Sequence, residues 1–354
     1  MIGRIKHFIS GRSREKQQVN LELIIDQMKH LRTKSELLVF TFQPTGSSYL
    51  GVFNATHNLF PDLVVTLPAY HSNCLLSPVQ FDALTTAAVA LQFEQVIFGT
   101  MPPSLLRFAE KLSQFFQVKM IFHGALSELQ NKAALAHFGD IVSKHRSGIF
   151  SSVGFVKSGM EVWYEKCFGE TAHRLELFPK SMDPLPAKSD GFFHVGVFVN
   201  DSFNKNKVTQ VAAALSLPNT RVHTLTSEQD FTFLNDHRII THAPLPHSEF
   251  IQLLGSMDVN MHITFSEGMG GQTFTESLQM GVPCLTSNTH QYLRFSDDLQ
   301  RQLIVDEHDN PIRIAEYLEK ISVIPRKEWK KVFDQYNQLI SDDAEKLLTA
   351  FVDN

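Results

Sequence analysis

The sequence predicts an α/β chain made of two doubly wound halves. Short apolar runs alternate with amphipathic segments, the pattern of buried parallel strands separated by helices. The alternation breaks once, at Pro184-Leu185-Pro186-Ala187-Lys188-Ser189, and then restarts. A chain of 354 residues is long enough for two domains of ordinary size. The expected division is a first Rossmann-like domain over 1–186, opened by a basic segment at 1–35, and a second over 187–354.

Taken in order, the first half places strands at Leu37–Phe42, Leu63–Leu67, Gln95–Phe98, Val118–Phe122 and Gly148–Ser151. The stretch Pro44-Thr45-Gly46-Ser47-Ser48 follows the first strand, at the edge where open α/β sheets hold their ligands; a plain strand-to-helix turn is the equal alternative. The second half places strands at His194–Val199, Arg221–Leu225, Arg238–Thr241, Asp258–Ile263 and Val282–Thr286. After Pro325, the tract from Arg326 to Phe351 reads as one long closing helix.

Composition narrows the function classes. Cys74, Cys167 and Cys284 are odd in number and have no CxxC spacing, which argues against a disulfide framework or a zinc site and for a reducing cytoplasm. No apolar run approaches the ~18 residues of a membrane span, and the first residues lack the apolar core of a secretory signal. Residues 1–35 hold eight Lys or Arg against three acids, a local charge of +5 that leaves −10 for the rest of a chain at −5. Interleaved with those bases, Ile2, Ile5, Phe8 and Ile9 form a short amphipathic patch suited to peripheral contact with anionic lipid; a solvated terminus is the competing reading. No basic face recurs elsewhere, so nucleic acid is not an expected partner.

The richest stretch is Phe265 to Pro283, FSEGMGGQTFTESLQMGVP. Gly268, Gly270 and Gly271 would bring bare backbone N–H groups to an anion, and a helix beginning near Gln272 or Thr273 would aim its positive end at the same place. Glu276, one turn into that helix, would be repelled by a phosphate and suits a pair of sugar hydroxyls. An ordinary strand-loop-helix turn with two solvated glutamates is the competing reading.

This stretch resembles the nucleotide-sugar site of retaining GT-B glycosyltransferases, the group 1 or family 4-like enzymes. Their signature is a Glu, a glycine-rich turn, a second Glu and a later Gly-x-Pro. Glu276 and Gly281-Val282-Pro283 match its second half in register, whereas eight residues rather than the usual seven separate Glu267 from Glu276. The resemblance extends over roughly residues 95–322: a run from His237 to Gly268 gives the preceding helix and Asp-Val strand, Phe193 to Leu215 the opening strand and helix, and Met120 to Gly124 the strand with its His-Gly. The family's Arg after the first strand glycine is missing, since Val197 follows Gly196; Asn200 and Lys207 are the candidate substitutes.

What the resemblance implies is a GT-B fold with an inter-domain cleft, a closing helix that crosses back to the first domain, and metal-independent transfer of a hexosyl group with retention. The donor substrate is a nucleotide diphospho-sugar and no cofactor is expected. Lys205, Glu267 and His123 take the catalytic positions, and Gly270, Gly271, Gln272, Thr273, Glu276 and Asn200 the donor-binding ones. The acceptor is a glycan, a lipid-linked molecule or a protein. Two other readings stay open, a sugar-nucleotide 2-epimerase and a non-catalytic GT-B subunit that stabilises a partner transferase. His242, His247, His262 and His290 lack metal-ligand spacing and read as structural or surface residues.

Overall fold

The computed structural model describes residues 20–44, 50–70, 73–177, 182–183, 185–225, 231, 236–267, 271–289, 291 and 293–354. The expected lipid-facing patch of the first nineteen residues, the turn at 45–48, Gly268, Gly270 and His290 lie outside them. The strands are β1 (Leu37–Phe42), β2 (Val64–Leu67), β3 (Ala69–Tyr70), β4 (Asn73–Cys74), β5 (Gln95–Phe98), β6 (Gln117–Phe122), β7 (Ser152–Phe155) and β8 (Ala172–Arg174) in the first half. The second half has β9 (Phe193–Val197), β10 (Thr220–Leu225), β11 (Ile239–His242), β12 (Val259–His262), β13 (Cys284–Ser287) and β14 (Ile304–Val305).

Two six-stranded sheets result, ordered β2-β1-β5-β6-β7-β8 and β11-β10-β9-β12-β13-β14, while β3 and β4 pair as a small ribbon. Every neighbouring pair in the two large sheets is parallel. Parallel strands joined by helical crossovers are covered on both faces, which is why they read as apolar runs. Phe40, Phe98, Val153 and Phe155 have no measurable exposure in the first core, nor do Val195, Val197, Val259 and Met261 in the second.

One strand sits four residues later than expected. The run Gly148–Ser151 is a turn, and β7 begins at Ser152. Gly148 has φ +76 and its N–H bonds the carbonyl of His145, so it terminates the helix Lys132–Arg146 in a left-handed conformation that favours glycine. Likewise the helix after β9 starts at Lys207 rather than at Lys205, because Lys205 belongs to a 3₁₀ turn and Asn206 caps the helix at φ +50.

The helix Arg326–Asp353 joins the two cores. Trp329, Phe333, Tyr336 and Ile340 pack into the second core, and Phe351 is fully buried with Val39, Ile97, Ile121 and Leu175 of the first. The fully buried Lys119 on β6 donates to the carbonyls of Phe351 at 2.8 Å and Val352 at 2.7 Å, placing a cation on the negative end of the helix. Burying a Phe contributes about 1.5–3 kcal/mol, so this helix end is a firm tie between the domains.

Candidate functional site

In an open parallel sheet, ligands lie beyond the carboxyl ends of strands where the strand order reverses. In the second sheet that point falls between β9 and β12. The segments leaving those strands carry Lys205 and Glu267, which form an ion pair. Glu267 is also bonded to Nε2 of His262, the last residue of β12, at 2.9 Å. Only 7 % of Glu267 is exposed. Burial alone would raise its carboxyl pKa, but the hydrogen bond and charge of His262, with those of Lys205, outweigh burial and hold the carboxyl well below the usual range.

Gly271 fits this cluster for two reasons. Its φ is +63, and a Cβ there would stand 2.4 Å from Nε2 of His262. Only glycine permits both the backbone turn and the close approach. The helix Gln272–Gln279 then starts directly from Gly271 with no side-chain cap, leaving its positive end beside the Lys205–Glu267 pair. Thr273 is buried in the first turn. Gln272 reaches across to the first domain, donating to the carbonyl of Gly51 at 2.9 Å. Glu276 is one turn further on, with Nε2 of His247 at 3.6 Å from its carboxylate.

The first domain closes the other side of the cleft. His123 is 7 % exposed, and its Nε2 donates to the carbonyl of Gly99 at 2.7 Å. Burial outweighs that bond and pushes its pKa down to about 4, so the imidazole is neutral near pH 7. The bond assigns the proton to Nε2 and leaves Nδ1, buried and without a hydrogen-bond partner, as an acceptor. Glu128 lies just beyond, its carboxylate 3.2 Å from where a Cβ on Gly124 would be. Burial raises the Glu128 carboxyl; the Ala125 amide opposes this, repulsion from Glu267 adds to it, and Lys205 and Lys157 oppose it. Across the seam Ser127 touches Ser266, and Ser158 donates to Gln291 at 3.0 Å.

Lys205, Glu267, Gly271, Gln272 and Thr273 therefore gather at one end of the second sheet, with Glu276 a turn deeper and His123 across the cleft. Asn200 is exposed, and its side chain accepts from the N–H of Ser202 at 3.0 Å. Lys207 is 4 % exposed and held by Asp201 at 3.0 Å and the carbonyl of Leu225 at 3.1 Å. Val197 is core. Of the two proposed substitutes for the missing Arg, Lys207 is thus already engaged, and the Oδ1 of Asn200 is taken by its own turn.

Sequence reasoning missed His262, Glu128 and Lys157. His262 was read as structural for want of metal-ligand spacing, yet it holds Glu267. Its position at the carboxyl end of a strand beside the reversal in strand order was the signal available. Glu128 and Lys157 carry no motif, and only the closing of one domain on the other brings them to Glu267.

The fold has solved relatives. The chain is similar to Anabaena Alr3699/HepE, solved in complex with UDP, with a TM-score of 0.65 and 12% identity over 89% of this chain and 99% of that one. A glycosyltransferase from Rickettsia africae ESF-5 aligns with a TM-score of 0.60 and 11% identity over 91% of this chain and all (100%) of that one. A chain of the GtfA/B complex aligns with a TM-score of 0.51 and 12% identity, and there the match covers 78% of this chain but only 61% of the other. No protein-family profile and no curated protein matches the sequence. At these identities the likeness establishes the fold, which is GT-B: two Rossmann-like domains facing each other across a cleft.

Proposed function

We propose that this chain is a retaining GT-B glycosyltransferase that takes a nucleotide diphospho-sugar as donor. The observation that carries the reading is the meeting of Lys205, Glu267 and His262 under Gly271, at the uncapped start of the helix Gln272–Gln279. A diphosphate would take the helix amides and Lys205, and both would stabilise the charge that develops as the glycosidic bond breaks. A cation and aligned backbone dipoles supply the stabilisation a metal ion gives elsewhere, so transfer is expected to withstand chelation.

Each remaining group has a task suited to its chemistry. Glu276 accepts from the ribose hydroxyls and Glu267 from the transferred hexose. Neutral His123 offers Nδ1 to a hydroxyl of the sugar or the acceptor. Attack comes from the face the diphosphate leaves, with the departing phosphate taking the acceptor's proton, so no protein nucleophile is required. Glycan, lipid-linked and protein acceptors all suit this chemistry.

The UDP complex of the Anabaena relative supports the donor class. The test is a melting screen against UDP-, GDP-, ADP- and dTDP-sugars, followed by a transfer assay with the one that stabilises. A ligand at ~100 times its dissociation constant should stabilise by about 2.7 kcal/mol. Glu276→Gln should then lower donor use on the order of tenfold to a hundredfold, the loss of a charge-assisted hydrogen bond. No shift with any of the four sinks the reading.

A second reading, a subunit that supports a partner transferase, is favoured by two facts. Val197 stands where a cation is usual, and a chain of the GtfA/B complex shares the fold. Partner binding without transfer would favour it. Peripheral attachment at the inner face of a membrane is proposed for the basic first nineteen residues. Full-length protein should sediment with anionic liposomes at low salt and a chain starting at Val19 should not.

A further inference from the structure

We propose that Lys157 is the second cation for the donor diphosphate, supplied by the first domain across the closed cleft. The proposal rests on the donor reading above and starts from an imbalance. In the second domain, Val197 occupies the expected cation position in the core, and Lys207 is tied to Asp201 and the carbonyl of Leu225. Of the described residues considered for this role that leaves Lys205, whose charge is already matched by Glu267. Yet the diphosphate becomes more negative as the glycosidic bond breaks, and a single neutralised lysine is a poor match for it.

Lys157 follows β7 at the carboxyl edge of the first sheet, two residues beyond Phe155. It is half-buried, and among the described residues no carboxylate lies within the 4.0 Å of an ion pair. Its neighbour Ser158 bonds Gln291 of the second domain at 3.0 Å, which fixes this segment on the seam. Burial lowers the Lys157 ammonium, while Glu267 of the facing domain and Glu128 of its own raise it. A half-buried ammonium that feels two carboxylates, yet forms an ion pair with none of the described ones, gains directly from an anion entering the cleft. Because it stands on the first domain, its contact would also require the domains to be closed around the donor.

The test is a calorimetric titration of wild type, Lys157→Ala and Lys157→Arg. The titrants are UDP, GDP, ADP and dTDP and the monophosphate of whichever binds. Lys157→Ala should weaken the diphosphate roughly tenfold or more and the monophosphate less than about twofold, and Lys157→Arg should restore most of the loss. The unliganded melting temperature of each variant confirms folding. Equal diphosphate affinity in wild type and Lys157→Ala overturns this inference and leaves the donor site standing. Equal losses for the mono- and diphosphate also overturn it, since they indicate general damage to the cleft. Wild type that binds none of the four removes the donor reading and this inference with it.

Discussion

Two polar networks of the second domain are built differently. At the strand-order reversal, Lys205, Glu267 and His262 concentrate charge and leave Nδ1 of His262 without a partner, as Nδ1 of His123 is across the cleft. Running from β9 out to the edge strand β11, Asp190, His194, His223 and His242 form a ladder over β9, β10 and β11. Nε2 of His194 meets Asp190 at 2.7 Å, Nδ1 of His194 meets Nε2 of His223 at 2.8 Å, and Nδ1 of His223 meets Nε2 of His242 at 2.9 Å.

With every imidazole carrying its proton on Nε2, each step of the ladder is a donor facing an acceptor. Each link inside the ladder has its partner, whereas the cleft leaves two ring nitrogens open. A buried polar network completed by its own members adds stability, and one left open holds potential for a ligand.

The largest expected effect falls on the cleft. Gly271→Ala should nearly abolish transfer, because the new methyl must displace His262 and the backbone must keep a left-handed φ that costs roughly 1–2 kcal/mol. Full activity in that variant would detach Gly271 from the site. Lys205→Ala comes next, with a loss of about a hundredfold in kcat and some loss of stability, since the buried Glu267 keeps only His262 as partner. If it unfolded more easily but still turned over at the wild-type rate, the cleft would belong with the ladder as a structural network.

Much of the cleft could be read before any coordinates. Glu267 and Gly271 lie on one strand-loop-helix run marked by its glycines, and Lys205 sits just before the helix that follows the opening strand β9. The strands were legible for a related reason, since burial on both faces leaves unbroken apolar runs. His262 was not, because a lone His at a strand end has no spacing to betray it. The ladder was invisible as well: His194, His223 and His242 are far apart in sequence and meet only through strand register, His223 lying opposite Gly196 on one side and Ile240 on the other.

The ladder should respond in the opposite sense to the cleft. His223→Gln should cost about 1–3 kcal/mol of stability, the penalty for buried groups that lose partners, with transfer unchanged. A reduced kcat at unchanged stability would place His223 in the catalytic machinery instead. The smallest effect is its pH dependence. Burial, aided by the positive charge of Lys188 and by the neighbouring His194, His242 and Arg221, pushes the His223 pKa down to about 3.

The unfolded chain therefore takes up a proton near pH 6.5 that the folded chain refuses until near pH 3. Stability from this group is full above pH 6.5 and is lost as pH falls toward 3, by roughly 1.4 kcal/mol per unit. Wild type and His223→Gln should thus converge in urea midpoint between pH 7 and pH 5. A gap that widens over that range would contradict a neutral His223.

The central claim, that the cleft is the donor site and the ladder is structural, is tested most directly by amide hydrogen exchange. Exchange is compared with and without the nucleotide diphospho-sugar that raises the melting temperature. The account predicts slowed exchange at 203–207 and 264–276, with the strands of the ladder, β9 to β11, unchanged. Protection confined to the ladder, or absent from both segments while the ligand is bound, would contradict it.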